Sequence, residues 1–162
     1  MSSGMSNYIV RTMADGTAIS SNATEEISSS YLISANTVTV GSFLEMFGRV
    51  ERSVDNAVTF TVKIYTNTSV SLIGATLLAT YTTDSTQRDN VDFGRWLLVK
   101  SSTVTQLSTP NNESTQLRYF IPTTTFTEVN IDWTVDQYFI ISLTNNGSGQ
   151  TVLAKGMLIL KY

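Results

Sequence analysis

The stretch AVTFTVKIY, residues 57–65, constrains the fold more than any other part of the chain. Val58, Phe60, Val62 and Ile64 alternate with Thr59, Thr61, Lys63 and Tyr65, and only a strand sends two such sets to opposite faces. A helix, turning about 100° per residue, would scatter both sets around its circumference. A strand with one apolar face needs a second layer to cover it. The same grammar recurs in SFLEMFGRVER, TLLATYTT, VDFGRWLLVK, DQYFIISLT and TVLAKGMLILKY, with further strand-length runs at Tyr31 to Val40 and Thr123 to Ile131. Together they predict about eight strands. In SFLEMFGRVER apolar residues fall on both faces, and Gly48 marks either a bulge or a close approach of another chain segment.

The connections agree. TNTSVSLIGA, TDSTQRDN, TPNNEST and NNGSG are the Asn, Asp, Gly, Pro and Ser clusters that turn chains. Pro110 and Pro122 fall in loops or at strand edges, where a missing N–H is harmless. No window holds a 3.6-residue period, so minimal helix is expected, and the lack of a long repeat argues against a propeller or a solenoid. Charged residues are only 14% of the chain, and the polar surface is built from Ser, Thr and Asn beside abundant β-branched residues. The expected fold is all-β: a two-sheet antiparallel β-sandwich, jelly-roll-like, with little or no helix. Val58, Phe60, Val62, Ile64, Phe139, Ile141 and Leu143 are the expected shared core.

Histidine and cysteine are absent, so the chain cannot build a Ser-His-Asp triad, a Cys-His pair or an imidazole or thiolate zinc site from its own residues. A carboxylate pair for glycoside cleavage stays formally open among the 13 acids, but the expectation is a non-enzymatic protein. Asp84, Asp89 and Asp92 sit in one oxygen-rich stretch that matches no EF-hand spacing. The plainer reading is a solvated turn, and no cofactor is expected. A net charge of −3 with scattered Lys and Arg gives no basic stripe for nucleic acid. No run approaches the roughly 20 apolar residues of a membrane span, so no membrane insertion is expected. Without cysteine there is no disulfide, which suits assembly in a reducing cytoplasm. The Asn-x-Ser/Thr sequons at Asn22, Asn67, Asn112 and Asn146 are what a chain this rich in those residues produces by chance.

Two segments invite functional readings. Residues 1–30 hold one short β-like run and then a polar stretch with little to bury, and read as an arm beside a sandwich spanning 31–162. Within it Tyr8, Ile9, Val10 and Met13 are candidate assembly contacts, since a free strand readily completes a neighbour's sheet edge. The alternative is that the run forms the sandwich's own first strand. The corner NIDWTVDQYFIISL carries Asp132, Trp133 and Asp136 just before an apolar strand. Trp133 is there either a sugar-stacking platform or the filling of the core's end. Trp96, Trp133 and Tyr138, with Tyr65 and Tyr119, are the candidates for stacking a glycan if they face outward.

YTNTSVSLIGATLLATYTT, RWLLVKSSTVTQLSTP and VNIDWTVDQYFIISLTNNGSGQTVLAKGMLILKY, in that order, resemble the jelly-roll domains of tailed-bacteriophage virion proteins, which form head fibres, capsid decorations and tail-fibre modules. The resemblance covers about Tyr31 to Tyr162. It implies a virion structural component, a head fibre or capsid decoration protein assembled in the bacterial host cytoplasm. Its implied partners are other capsid or fibre subunits in a homo-oligomer, a trimer by analogy with phage fibres. The alternative it leaves open is a carbohydrate- or receptor-binding module of a tail fibre, whose partner is a host surface glycan. It transfers no catalytic residue, and it implies that the Trp133 corner is scaffolding.

Overall fold

A computed structural model describes residues 7–20, 23–53, 59–83, 90–108, 126–147 and 149–162. Among the described residues eleven strands run in order: β1 (Asn7–Thr12), β2 (Ile19–Ser20), β3 (Glu25–Ile33), β4 (Phe43–Arg52), β5 (Phe60–Asn67), β6 (Thr76–Thr82), β7 (Asn90–Val99), β8 (Val104–Ser108), β9 (Phe126–Asn130), β10 (Gln137–Asn145) and β11 (Thr151–Lys161). They form a 7-stranded sheet of order β1-β11-β4-β7-β8-β9, with β2 also paired to β11, and a 4-stranded sheet of order β3-β10-β5-β6. These pairings are antiparallel throughout.

The chain passes from one sheet to the other at six of the ten connections between these strands, and β1-β11-β4-β7 faces β3-β10-β5-β6. This is the double-sheet jelly roll. The β8-β9 hairpin widens the larger sheet and β2 is a short extra pairing, which accounts for more strands than the sequence predicts.

The core lies between the sheets. Phe60, Val62 and Ile64 from β5 and Phe139, Ile141 and Leu143 from β10 are buried as their period predicts; Val58 lies outside the described residues, as do Pro110 and Pro122. From the larger sheet Leu44, Met46, Phe93, Leu97, Val152 and Ile159 meet them. Each such buried side chain contributes about 1.5–3 kcal/mol of transfer free energy. At Gly48 the close approach is the correct alternative. The β4–β7 register runs unbroken through it, and a Cβ there would lie 2.1 Å from Cζ of Phe93.

The arm expected over residues 1–30 is corrected by this topology. β1 pairs with β11 at the edge of the larger sheet and Val10 joins the core. The expected boundary between Ser30 and Tyr31 falls inside β3, which pairs with β10 along its length. The physical reason is that serine does the work of an apolar residue. Ser28 points inward, donating from Oγ to Thr17 O at 2.8 Å and accepting from the Ala154 amide at 3.0 Å. A strand whose inward positions are small and hydrogen-bonded reads as a polar segment. The Tyr31 to Val40 run is also shorter than its pattern suggests, leaving the sheet after Ile33, and a turn at 100–103 separates β7 from β8.

Candidate functional site: a groove on the larger sheet

Alternation along β4, β7 and β11 fills the core with one set of side chains and presents the other on the outer face of the larger sheet. Register aligns the outer set in rows. Arg11 stands opposite Leu158, Leu158 opposite Phe47, and Phe47 opposite Gly94. The next row on one side pairs Arg49 with Asp92; on the other, Tyr8, Leu160, Glu45 and Trp96 follow one another across the sheet. A groove of about 690 Å³ crosses these strands, with Phe47, Leu158 and Gly94 among the residues lining it.

Polar side chains form its walls. The Arg49 guanidinium donates from Nε to Asp92 Oδ1 at 2.6 Å and from Nη2 to Oδ2 at 3.0 Å, a two-point pair. Asp92 pushes the Arg49 guanidinium further into its charged form, chiefly through that hydrogen bond. Lys155 Nζ lies 2.9 Å from Asp15 Oδ2 and 3.4 Å from Glu51 Oε2, and the Asp15 hydrogen bond leads in holding it protonated. Arg11 stacks over the Tyr8 ring at 5.4 Å. The cations Arg11, Arg49 and Lys155 are thus balanced by Asp15, Glu51 and Asp92 along one groove. A backbone feature shapes its end: Gly156 has φ +129°, and a Cβ there would lie 2.3 Å from Thr12 O. Only glycine lets the bulge in β11 pass this close beneath β1.

The aromatic candidates from the sequence do not converge. Trp96 is half-buried on the outer face of the larger sheet, donates from Nε1 to Glu45 Oε1 at 3.1 Å and packs on Phe43 at 5.8 Å. Trp133 is 3% exposed, lies over Phe139 at 6.3 Å and donates to Thr105 Oγ1 at 2.9 Å. It fills the end of the core. Tyr138 is half-buried on the outside of the smaller sheet, the face that also carries Tyr65; Tyr119 lies outside the described residues. The Asp132–Asp136 corner ties loops together. Asp132 accepts from the Thr134 hydroxyl and amide, which hold its carboxyl below the usual range. Asp136 accepts from the Ala35 amide at 2.8 Å, and Trp133 O accepts from the Asn36 amide.

The four assembly candidates divide as well. Val10 is in the core and Ile9 packs against it, whereas Tyr8 is 57% and Met13 84% exposed and both line the groove. Of the aspartate cluster, Asp84 and Asp89 lie outside the described residues, and Asp92 is the strand residue bound by Arg49.

Sequence reasoning passed over Phe47, Arg49 and Gly94. A signal was present: the tripeptide Phe-Gly-Arg occurs at residues 47–49 and again at 93–95. Antiparallel register sets each Phe opposite the other strand's Gly, Phe47 with Gly94 on the outside and Phe93 with Gly48 on the inside. It also passed over Glu25, which accepts from Lys63 Nζ at 2.7 Å, Tyr65 Oη at 2.8 Å and Ser142 Oγ at 2.6 Å on the outside of the smaller sheet. Burial raises the Glu25 pKa, but these hydrogen bonds outweigh it and hold the carboxyl below its ordinary value.

No protein-family model and no curated protein sequence matches the chain. Among solved structures it is similar to the CBM2 module of the evolved Dit of Lactobacillus casei BL23 phage J-1, with 8% identity and a TM-score of 0.37 over 81% of this chain and 67% of that one. It is also similar to a chain of infectious bursal disease virus, Gt strain, with 13% identity and a TM-score of 0.34 over 97% of this chain. In that second case the chain spans about a third of the other's length, 32%.

Proposed function

We propose that this chain is a non-enzymatic structural component of a bacteriophage virion, a head fibre or capsid decoration protein that works by self-assembly and attachment to the particle. The observation that carries the reading is the strand order, β1-β11-β4-β7 against β3-β10-β5-β6. Double-sheet jelly rolls of this kind serve as viral capsid and lectin domains, and the sequence resembles phage virion jelly rolls from about Tyr31 to Tyr162. Fold alone does not fix function, so the resemblance chooses between those uses. The reading includes a homo-oligomer, with a trimer favoured by the fibre analogy. Of the four candidate assembly contacts, Tyr8 and Met13 are the ones exposed enough to contact another subunit or the capsid. Assembly takes place in the host cytoplasm, as suits a chain without cysteine.

The test is location. Particles from cells expressing a tagged chain are purified through a density gradient, quantified by mass spectrometry and imaged by electron microscopy. The expected result is a fixed copy number per particle and ordered density at one site. A chain that stays in the soluble lysate while particles form normally without it overturns the reading.

A further inference from the structure

We infer that the groove across β1, β11, β4 and β7 is a binding site for a neutral oligosaccharide. The inference rests on the groove's own residues and not on the proposed virion role, and three of its features point to this ligand class.

The first is charge. Arg49 and Lys155 are each bound to acids of the groove, and the groove's cations and acids balance. A polyanion would meet as many acids as bases here and would have to compete for guanidinium and ammonium groups already engaged. A neutral polyol faces no such competition. Its hydroxyls both donate and accept, and a two-point Arg–Asp pair offers both functions side by side. Arg49 uses Nε and Nη2 on Asp92, leaving Nη1 to donate.

The second is the floor. Phe47 and Leu158 sit side by side in one row of the outer face, giving an apolar surface beside the Arg49–Asp92 row. A pyranose ring has the matching character: an apolar face of C–H groups and a rim of hydroxyls. An aromatic ring in such a floor supplies contact area at small entropic cost, and the polar walls fix orientation.

The third is extent. From β1 to β7 the groove crosses three strand spacings, about 14 Å, and its volume of about 690 Å³ lies within the usual range for ligand sites. At the β1 end, Arg11 held over Tyr8 adds donors beside a second aromatic ring. A short oligosaccharide fills this length where a single sugar does not.

The experiment is calorimetric titration of the full chain with maltohexaose, cellohexaose, chitohexaose and a β-1,4-galactan hexasaccharide. Each is taken to about 10 mM, well above the weak affinities usual for such sites. At least one is expected to bind with Kd on the order of 10 µM to 1 mM. Arg49→Gln and Asp92→Asn should each weaken it by about tenfold, the loss of roughly one charge-assisted hydrogen bond. Both residues are at the surface, so melting temperatures should stay close to wild type. Tyr138→Ala, on the opposite sheet, should leave affinity unchanged, and raising salt from about 50 to about 500 mM should too, since a neutral ligand releases no counterions. Four results overturn the inference: no probe binds; Arg49→Gln and Asp92→Asn both bind like wild type; affinity falls steeply with salt; or sedimentation shows that these variants change self-association, making the face a contact between copies of the chain.

Discussion

Replacing Gly48 by alanine tests the packing on which both faces of the larger sheet depend. The added methyl would sit 2.1, 2.6 and 2.8 Å from Cζ, Cε2 and Cε1 of Phe93. Carbon atoms in contact sit about 3.5–4.0 Å apart, so the ring must retreat by about 1.5 Å. It has nowhere cheap to go. Phe93 is 2% exposed and stacks on Tyr81 at 5.8 Å; Tyr81 is itself fixed by a hydrogen bond to Gly94 O at 3.1 Å and by Arg95 over its ring at 5.0 Å. Overpacking of this kind costs about 1–3 kcal/mol. Against it stands the backbone gain of removing glycine from a strand, about 0.5–1 kcal/mol. Sterics win, with an expected net loss of about 1–2 kcal/mol and a fall in melting temperature of about 2–8 °C for a chain of this size. Urea unfolding of Gly48→Ala, Phe93→Leu and the double variant supplies the check. In the Phe93→Leu background the ring is gone, and Gly48→Ala should cost nothing or stabilise, a coupling of at least about 1 kcal/mol. A neutral Gly48→Ala, or strict additivity in the cycle, would refute the close-approach reading.

Glu25 makes acid stability a second test. Its folded-state pKa lies below the unfolded value of about 4.3, so its contribution is complete above that pH and is lost as pH falls through the lower folded value; Glu25→Gln should flatten the stability profile in that window and leave its slope near neutrality alone. Trp133→Ala should cost about 3–5 kcal/mol, and Trp133 fluorescence should resist quenching by iodide, whereas a glycan-stacking tryptophan would be quenched. Deleting residues 1–14 removes β1 and Val10 from the larger sheet; the product should melt far lower or aggregate through the bared β11 edge, and a core of unchanged stability would restore the arm reading.

The two sheets were legible in the sequence where inward positions are large and outward ones polar. β5 follows this rule, and so do Phe139, Ile141 and Leu143 of β10, although Ile140 on that strand's other face is buried as well. The rule misleads in β3, because Ser28 holds an inward position through hydrogen bonds. It cannot choose between the faces of β4, where Phe43 and Phe47 lie outside and Leu44, Met46 and Val50 inside. Phe43 packs there on Trp96 and Tyr162, and Phe47 lines the groove. The site's charged members were invisible for a different reason. Arg49 and Asp92 are 43 residues apart and meet only through the pairing of β4 with β7, which no local pattern reports.

That pairing also links the groove to the core. With Phe47 opposite Gly94 and Gly48 opposite Phe93, each strand contributes one ring and one gap, the rings on opposite faces. The two faces therefore share a single register. A slip of β7 by one residue would turn Phe93 to solvent and drive Asp92 into the core, where an unpaired carboxylate costs several kcal/mol. Phe47 and Gly94 are for this reason poor probes of binding, since changing either disturbs the pairing that also seats Phe93. Arg49 and Asp92 are good ones. They sit one row away and pair at the surface, with side-chain exposures of 48% and 39%, and such surface pairs contribute at most about 1 kcal/mol to stability. A ligand that depends on them can lose its affinity while the sandwich keeps its fold.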